Sequence, residues 1–132
     1  MRLFVDTSAL AALYRRDDSR HADAAAFILA AGKAELHTNN FVFSETMTLL
    51  ASNHGQDDAV RFGTDYFASR RLIVHYADES LERGALAVMR AYRDKRLSFT
   101  DASAIAVVRT EGLDGVFGFD EDFRRCGVAL YP

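Results

Sequence analysis

The 132 residues are 49% hydrophobic and 27% charged, with a net charge of −3, one proline and one cysteine. Such a chain buries a real core as one domain. It is not collagen-like or low-complexity, and it holds neither an intramolecular disulfide nor a cysteine zinc cage. The charge excludes a wholly basic nucleic-acid coat, and no apolar run approaches the ~18 residues of a membrane span.

Arg2 to Val5 reads as a short buried strand ending at Asp6, which interrupts what could otherwise be a signal peptide. The chain is therefore assigned to the cytoplasm. Thr7 to Tyr14 carries Leu10, Leu13 and Tyr14 at helical spacing. After a polar connection, His21 to Ala31 predicts an alanine-rich helix that stops at Gly32, and Glu35 to Thr38 a brief strand. Asn39 or Asn40 caps a helix predicted to run to about His54 and end at Gly55. Asp57 begins another. Leu72 to Tyr76 is a predicted strand, and Asp78 caps a helix with Leu81, Ala85, Val88, Met89 and Tyr92 on one face. That helix begins with Glu79 and Glu82 and ends with Arg90, Arg93, Lys95 and Arg96, as the helix dipole favours. Ser98 and Asp101 form an S-x-x-D start for a helix reaching Glu111 and ending at Gly112. Val116 to Phe119 and Val128 to Tyr131 are predicted strands.

Strands alternating with dominant helices imply an α/β fold, a three-layer α/β/α sandwich around a small, mostly parallel sheet, as one domain over residues 1–132. Ligands of such folds sit outside the carboxyl ends of the strands. Asp6 stands where the first strand ends, and Asp120 where the predicted strand 116–119 ends.

Four carboxylates stand out by their context. Asp6 is the only acid in residues 1–14. Glu45 is the only formally charged residue from Leu36 to Gln56, and Asp101 the only one from Leu97 to Val108. Asp120 follows the apolar VFGF. An exposed helical acid usually has basic neighbours three or four residues away, but Glu45 has Phe41, Val42, Thr48 and Leu49. Each acid also has a plainer reading: Asp6 as a helix cap, Asp101 as the end of a capping box, Glu45 as a surface residue, Asp120 as part of an acidic turn. Together, converging carboxylates with no cation among them repel one another, and a hard divalent ion would neutralise them. Oxygen-only ligation selects Mg²⁺ or Mn²⁺ over Zn²⁺. Such ions activate water and stabilise the leaving oxygen of a phosphodiester.

The segments LFVDTSAL, FVFSETMTLL, LSFTDASAIAVV and GFDEDF resemble a PIN domain over nearly the whole chain. They are most similar in order and spacing to the VapC-like toxins of bacterial toxin–antitoxin pairs. The resemblance implies an Mg²⁺- or Mn²⁺-dependent endoribonuclease, a homodimer, and inhibition by a small cognate antitoxin. It assigns Asp6, Glu45, Asp101 and Asp120 to the acidic catalytic and metal-binding quartet. One position departs: the family often has Thr or Ser two residues before the last Asp, where this chain has Gly118, and Thr7 or Ser8 could supply the missing hydroxyl. The alternative is a catalytically weakened PIN-like module that binds RNA or protein. The electrostatics of a cluster built for a cation also suit an inhibitor that inserts an arginine.

Of the 16 cations, 14 are Arg. Arg15, Arg16 and Arg20 follow the first helix close in sequence to Asp6, either to grip RNA phosphates or to complement the helix end. His21, His37, His54 and His75 lack metal-ligand spacing and read as ordinary surface or core residues, and Cys126 as a small buried one. No G-x-S-x-G surrounds Ser8. A phosphoacceptor receiver domain would need an acid beside Asp6 and a late lysine, and the chain has neither.

Overall fold

The first strand, β1 (Arg2–Val5), is the middle of a five-stranded sheet, and its three apolar residues are all buried. The computed structural model describes residues 1–52 and 55–132. In chain order β1 is followed by α1 (Thr7–Tyr14), α2 (His21–Ala30), β2 (Glu35–Asn39), α3 (Asn40–Ala51) and α4 (Asp57–Ala68). Next come β3 (Leu72–His75), α5 (Glu79–Ala91), α6 (Phe99–Glu111), β4 (Gly115–Phe117), α7 (Asp122–Arg125) and β5 (Leu130–Tyr131). The strand order is β3-β2-β1-β4-β5, and every pairing is parallel. Parallel strands require crossovers, which the helices supply. Among the described residues no helix is long and apolar enough to cross a membrane.

Side-chain alternation along the strands separates the two helical layers. Val5 and Leu36 line a cavity with Phe62 and Tyr66 of α4, and Phe117 packs its ring 4.6 Å from Phe27 of α2. The alternate residues, Phe4, His37 and Val116, face the side covered by α5 and α6. Helix α6 is buried on every side from Ala102 to Val108, as expected of a helix held between a sheet and another helix.

Two predicted strands are corrected. Strand β4 ends at Phe117, not Phe119, so Asp120 lies beyond the sheet rather than at a strand end. Strand β5 is only Leu130–Tyr131. Between them α7 forms a single turn that no apolar periodicity announced. The predicted end of the α3 helix near His54 falls outside the described residues, and α3 is described to Ala51. The N-cap of that helix is Asn39, whose side chain accepts from the Val42 N–H at 3.0 Å. Asn40 instead accepts from the Ala77 N–H at 2.8 Å, fixing the chain after β3.

Candidate active site

Asp6 leaves the sheet at the carboxyl end of β1, where its own N–H still donates to the Phe117 carbonyl at 3.0 Å. It also caps α1. One carboxylate oxygen, Oδ2, accepts from the Ser8 N–H at 3.3 Å and from Ser8 Oγ at 3.0 Å. The other, Oδ1, is buried without a hydrogen-bond partner. The residue is only 3% exposed. Burial first, and then the negative charge of Asp101, push its carboxyl up to about 7. The predicted cap is therefore real, but it uses only half of the carboxylate. A cap alone does not account for a bare buried oxygen on a carboxylate that another acid repels, which costs free energy unless something pairs with it.

Asp101 is likewise both things the sequence allowed. Its Oδ2 accepts from the Ser98 N–H at 3.2 Å, and its own N–H donates to Ser98 Oγ at 3.0 Å, a complete capping box at the start of α6. Burial nevertheless raises its pKa, and the charges of Asp120 and Glu45 raise it further, against the lowering effect of Ser98. Glu45 lies on α3 in an open groove of about 500 Å³, with Phe41, Ser44, Thr48, Leu49 and Thr100. The carboxylate of Asp120 accepts from the Asp122 N–H at 2.9 Å in the turn that opens α7. Asp101 is thus within electrostatic reach of Asp6, Glu45 and Asp120, which come from three other stretches of chain. Among the described residues no three His, Cys, Asp or Glu side chains close on a single point as a ready-made metal cage. The donors that these four side chains offer are all carboxylate oxygens, the kind that hard divalent ions accept.

Two buried polar residues, unremarked as a pair in the sequence, hold the walls together. Asn39 Nδ2 donates to Ser103 Oγ at 3.0 Å, and Ser103 Oγ donates to the Thr100 carbonyl at 2.6 Å. Both are fully buried. They pin the start of α3, which carries Glu45, to the start of α6, which carries Asp101. Thr38 Oγ1 donates to the Val5 carbonyl at 3.1 Å, locking β2 to the strand end that presents Asp6.

The glycine at position 118 has a geometric reason. A Cβ there would stand 3.1 Å from Ser8 Oγ and 3.1 Å from Asp6 Cβ. The Ser8 hydroxyl already fills that space, donating to Asp6 and accepting from the Phe119 N–H at 2.9 Å. Thr7 Oγ1, the other hydroxyl nearby in sequence, is buried without a partner. Of the two, Ser8 is the one bonded to an active-site acid.

A family model for the PIN domain matches residues 3–128. The chain is a PIN domain. It is 33% identical over 125 residues to the 23S rRNA-specific endonuclease VapC20 of Mycobacterium tuberculosis, covering 95% of this chain and 94% of the relative. It is also 33% identical over 106 residues to a VapC ribonuclease of Archaeoglobus fulgidus, covering 77% of this chain and 67% of the relative. The crystal structure of M. tuberculosis VapC20, described as a sarcin–ricin loop cleaving toxin, superposes with a TM-score of 0.90 at 31% identity over 96% of each chain. VapBC2 of Rickettsia felis, solved with a promoter DNA fragment, shares the fold at a TM-score of 0.71 and 12% identity, over 99% of this chain and 98% of that one.

The three arginines of the PIN domain's α1–α2 connection separate in space. Arg15 caps the end of α1, the helix end opposite Asp6, with Nε 3.6 Å from Asp17. Arg16 is exposed beside Asp58 and Arg61. Arg20 alone reaches the site, where it donates to the Phe119 carbonyl at 3.0 Å and covers the Phe119 ring at 4.9 Å, bracing the loop between Gly118 and Asp120. His37 is buried and His21 and His75 are half-buried: His21 Nδ1 lies 2.7 Å from the Ala12 carbonyl oxygen, and His37 Nδ1 lies 2.8 Å from His75 Nε2. His54 lies outside the described residues. Cys126 is buried.

Proposed function

We propose that this PIN domain is an endoribonuclease that hydrolyses RNA phosphodiester bonds with Mg²⁺ or Mn²⁺, as the toxin of a toxin–antitoxin pair in the cytoplasm. The observation that carries the reading is Asp6: a buried carboxylate with one unpartnered oxygen, repelled by Asp101 and, among the described residues, given no cation to pair with. The donor set is oxygen only, which fits a hard divalent ion and not zinc. Asp6 and Asp101 would hold the ion, Glu45 would bind it through water or orient the attacking water, and Asp120 would complete the cluster. When bound, the ion supplies Lewis-acid polarisation of the phosphate and a water of lowered pKa. Ser8 fixes the Asp6 oxygen that faces it, Asn39 and Ser103 keep the Glu45 and Asp101 helices in register, and Arg20 holds the loop before Asp120. Likeness to VapC20 at 33% identity supports structured ribosomal RNA as the first substrate to test. The alternative of a catalytically weakened module rests on Gly118; the Ser8 hydroxyl beside it, bonded to Asp6 at 3.0 Å, supports the catalytic reading instead.

The same geometry supports the partner reading. A guanidinium stays charged and bonds two carboxylate oxygens in parallel. An antitoxin arginine entering between Asp6 and Asp101 would offset their repulsion and exclude the ion, on a chain read as a homodimer. The decisive experiment is cleavage of ribosomal RNA by the purified chain with Mg²⁺, with Mn²⁺ and with excess chelator. Cleavage restricted to the metal-containing reactions is expected. Undiminished cleavage in chelator overturns the metal assignment, and no cleavage under any condition overturns the ribonuclease.

A further inference from the structure

An acidic centre repels the polyanion it is meant to cut, so cations nearby must supply the attraction. Six described cations, Arg16, Lys33, Arg70, Arg90, Arg93 and Arg96, form no ion pair, side-chain hydrogen bond or ring contact among the described residues. Three of these six lie within residues 90–96, and all three are exposed. Arg90 in the last turn of α5 and Arg93 just beyond its C-cap, Tyr92, line the same groove.

Arg96 stands two residues before Ser98, whose N–H donates to Asp101 Oδ2. Successive Cα atoms are about 3.8 Å apart, so the Arg96 backbone lies within about 8 Å of that of Ser98. Lys95, bonded to Asp94, also interacts electrostatically with Arg125 of α7, the turn that follows Asp120. Arg90, Arg93 and Lys95 share an open groove of about 400 Å³ with Leu86, Met89 and Leu97.

We infer that the α5–α6 junction, centred on Arg90, Arg93 and Arg96, is the RNA phosphate-binding track that leads into the acidic centre. The inference rests on the ribonuclease reading and moves RNA contact away from Arg15 and Arg16. Guanidinium groups suit the role because each grips a phosphate with two donors. The plainer role of Arg90, complementing the α5 dipole, concerns stability and not RNA.

The test is binding of fluorescein-labelled oligouridylate to the full chain in chelator, followed by anisotropy across a KCl series. A variant carrying Arg90→Gln, Arg93→Gln and Arg96→Gln is compared with an Arg15→Gln, Arg16→Gln variant, and thermal melting confirms that both fold. Each lost phosphate contact removes about 0.7 from the log–log salt slope, so the triple variant loses about 2 and binds about tenfold more weakly or worse at low salt. The double variant keeps the wild-type slope. An unchanged slope in the triple variant overturns the track. So does a triple variant that binds RNA normally but loses a co-expressed partner protein, which would make this surface a docking site for an acidic peptide. Wild-type chain that neither binds nor cuts RNA overturns the ribonuclease reading and the track with it.

Discussion

The two ends of β1 treat a carboxylate in opposite ways. At the amino end, Glu35 of the neighbouring strand stands in register with Arg2, whose Nε lies 3.0 Å from Glu35 Oε1. His37 Nε2 lies 2.6 Å from the same oxygen. Arg2 also donates to the Glu111 carbonyl at 2.9 Å, and its N–H donates to Asp114 at 2.7 Å. Those partners, Arg2 first and then His37, hold Glu35 below the ordinary carboxylate range. At the carboxyl end of the strand, Asp6 is held by Ser8 and the Thr7 N–H, yet burial and the charge of Asp101 drive it the other way, to about 7. One chain thus builds both a satisfied acid and a frustrated one, 29 residues apart. The fold can pair a carboxylate where pairing serves stability, and the unpartnered Asp6 Oδ1 is the contrast on which the proposed metal site rests.

The sharpest way to break this contrast is to remove the frustrated charges. Asp6→Asn and Asp101→Asn are each expected to lower RNA cleavage by about 100-fold or more, beyond what removing an outer-shell partner costs, with the fold intact by circular dichroism. A variant that cuts RNA at the wild-type rate removes that residue from the site.

Stability should move in the opposite direction. A carboxyl raised from 3.8 to about 7 makes the folded state bind its proton more tightly than the unfolded state. Metal-free stability therefore falls as pH rises through that window, by up to about 4 kcal/mol at about 1.4 kcal/mol per unit. Asp6→Asn should melt higher than wild type in chelator above pH 7, and the gain should vanish below pH 4. Equal melting temperatures across that range would mean that Asp6 is not frustrated. Saturating Mn²⁺ should restore the wild type by about 2.7 kcal/mol at a hundredfold excess over Kd, and do nothing for an Asp6→Asn, Asp101→Asn double variant.

Smaller effects sharpen the contrast. Ser8→Ala removes a hydrogen bond to a charged group and strands the Phe119 N–H, a loss of about 1.5–3 kcal/mol. It is expected to weaken Mn²⁺ binding measured by calorimetry, with wild-type affinity retained by Ser8→Thr. Glu35→Gln, at the satisfied end, should lower the melting temperature slightly and leave cleavage unchanged. A loss of cleavage there would mean that the two ends are coupled.

What was legible in the sequence is what depends on neighbours along the chain. The caps at Asp6, Asn39, Asp78 and Ser98 were readable because each acts within three residues. The acids stood out because local cations were missing around them. Contacts between distant segments were not readable. Ser8 and Phe119 are 111 residues apart, and Asn39 and Ser103 are 64 apart. Nearness in sequence hides a separation in space for Arg15 and Arg16: the eight residues of α1 carry the chain about 12 Å from Asp6. Helix α7 is four residues long, too short to show a period. The overlong strand 116–119 followed a continuous apolar reading through VFGF, whereas β4 ends where Ser8 bonds the Phe119 N–H.

A Cβ at 118 would stand 3.1 Å from both the Ser8 hydroxyl and Asp6 Cβ. A side chain there therefore requires Ser8 or Asp6 to give way by a few tenths of an ångström. Because the Ser8 hydroxyl joins Asp6 to the Phe119 N–H, that displacement is felt at once by the end of β1 and by the loop after β4. Position 118 is thus a lever on the Asp6 carboxylate, although its own residue carries no side chain.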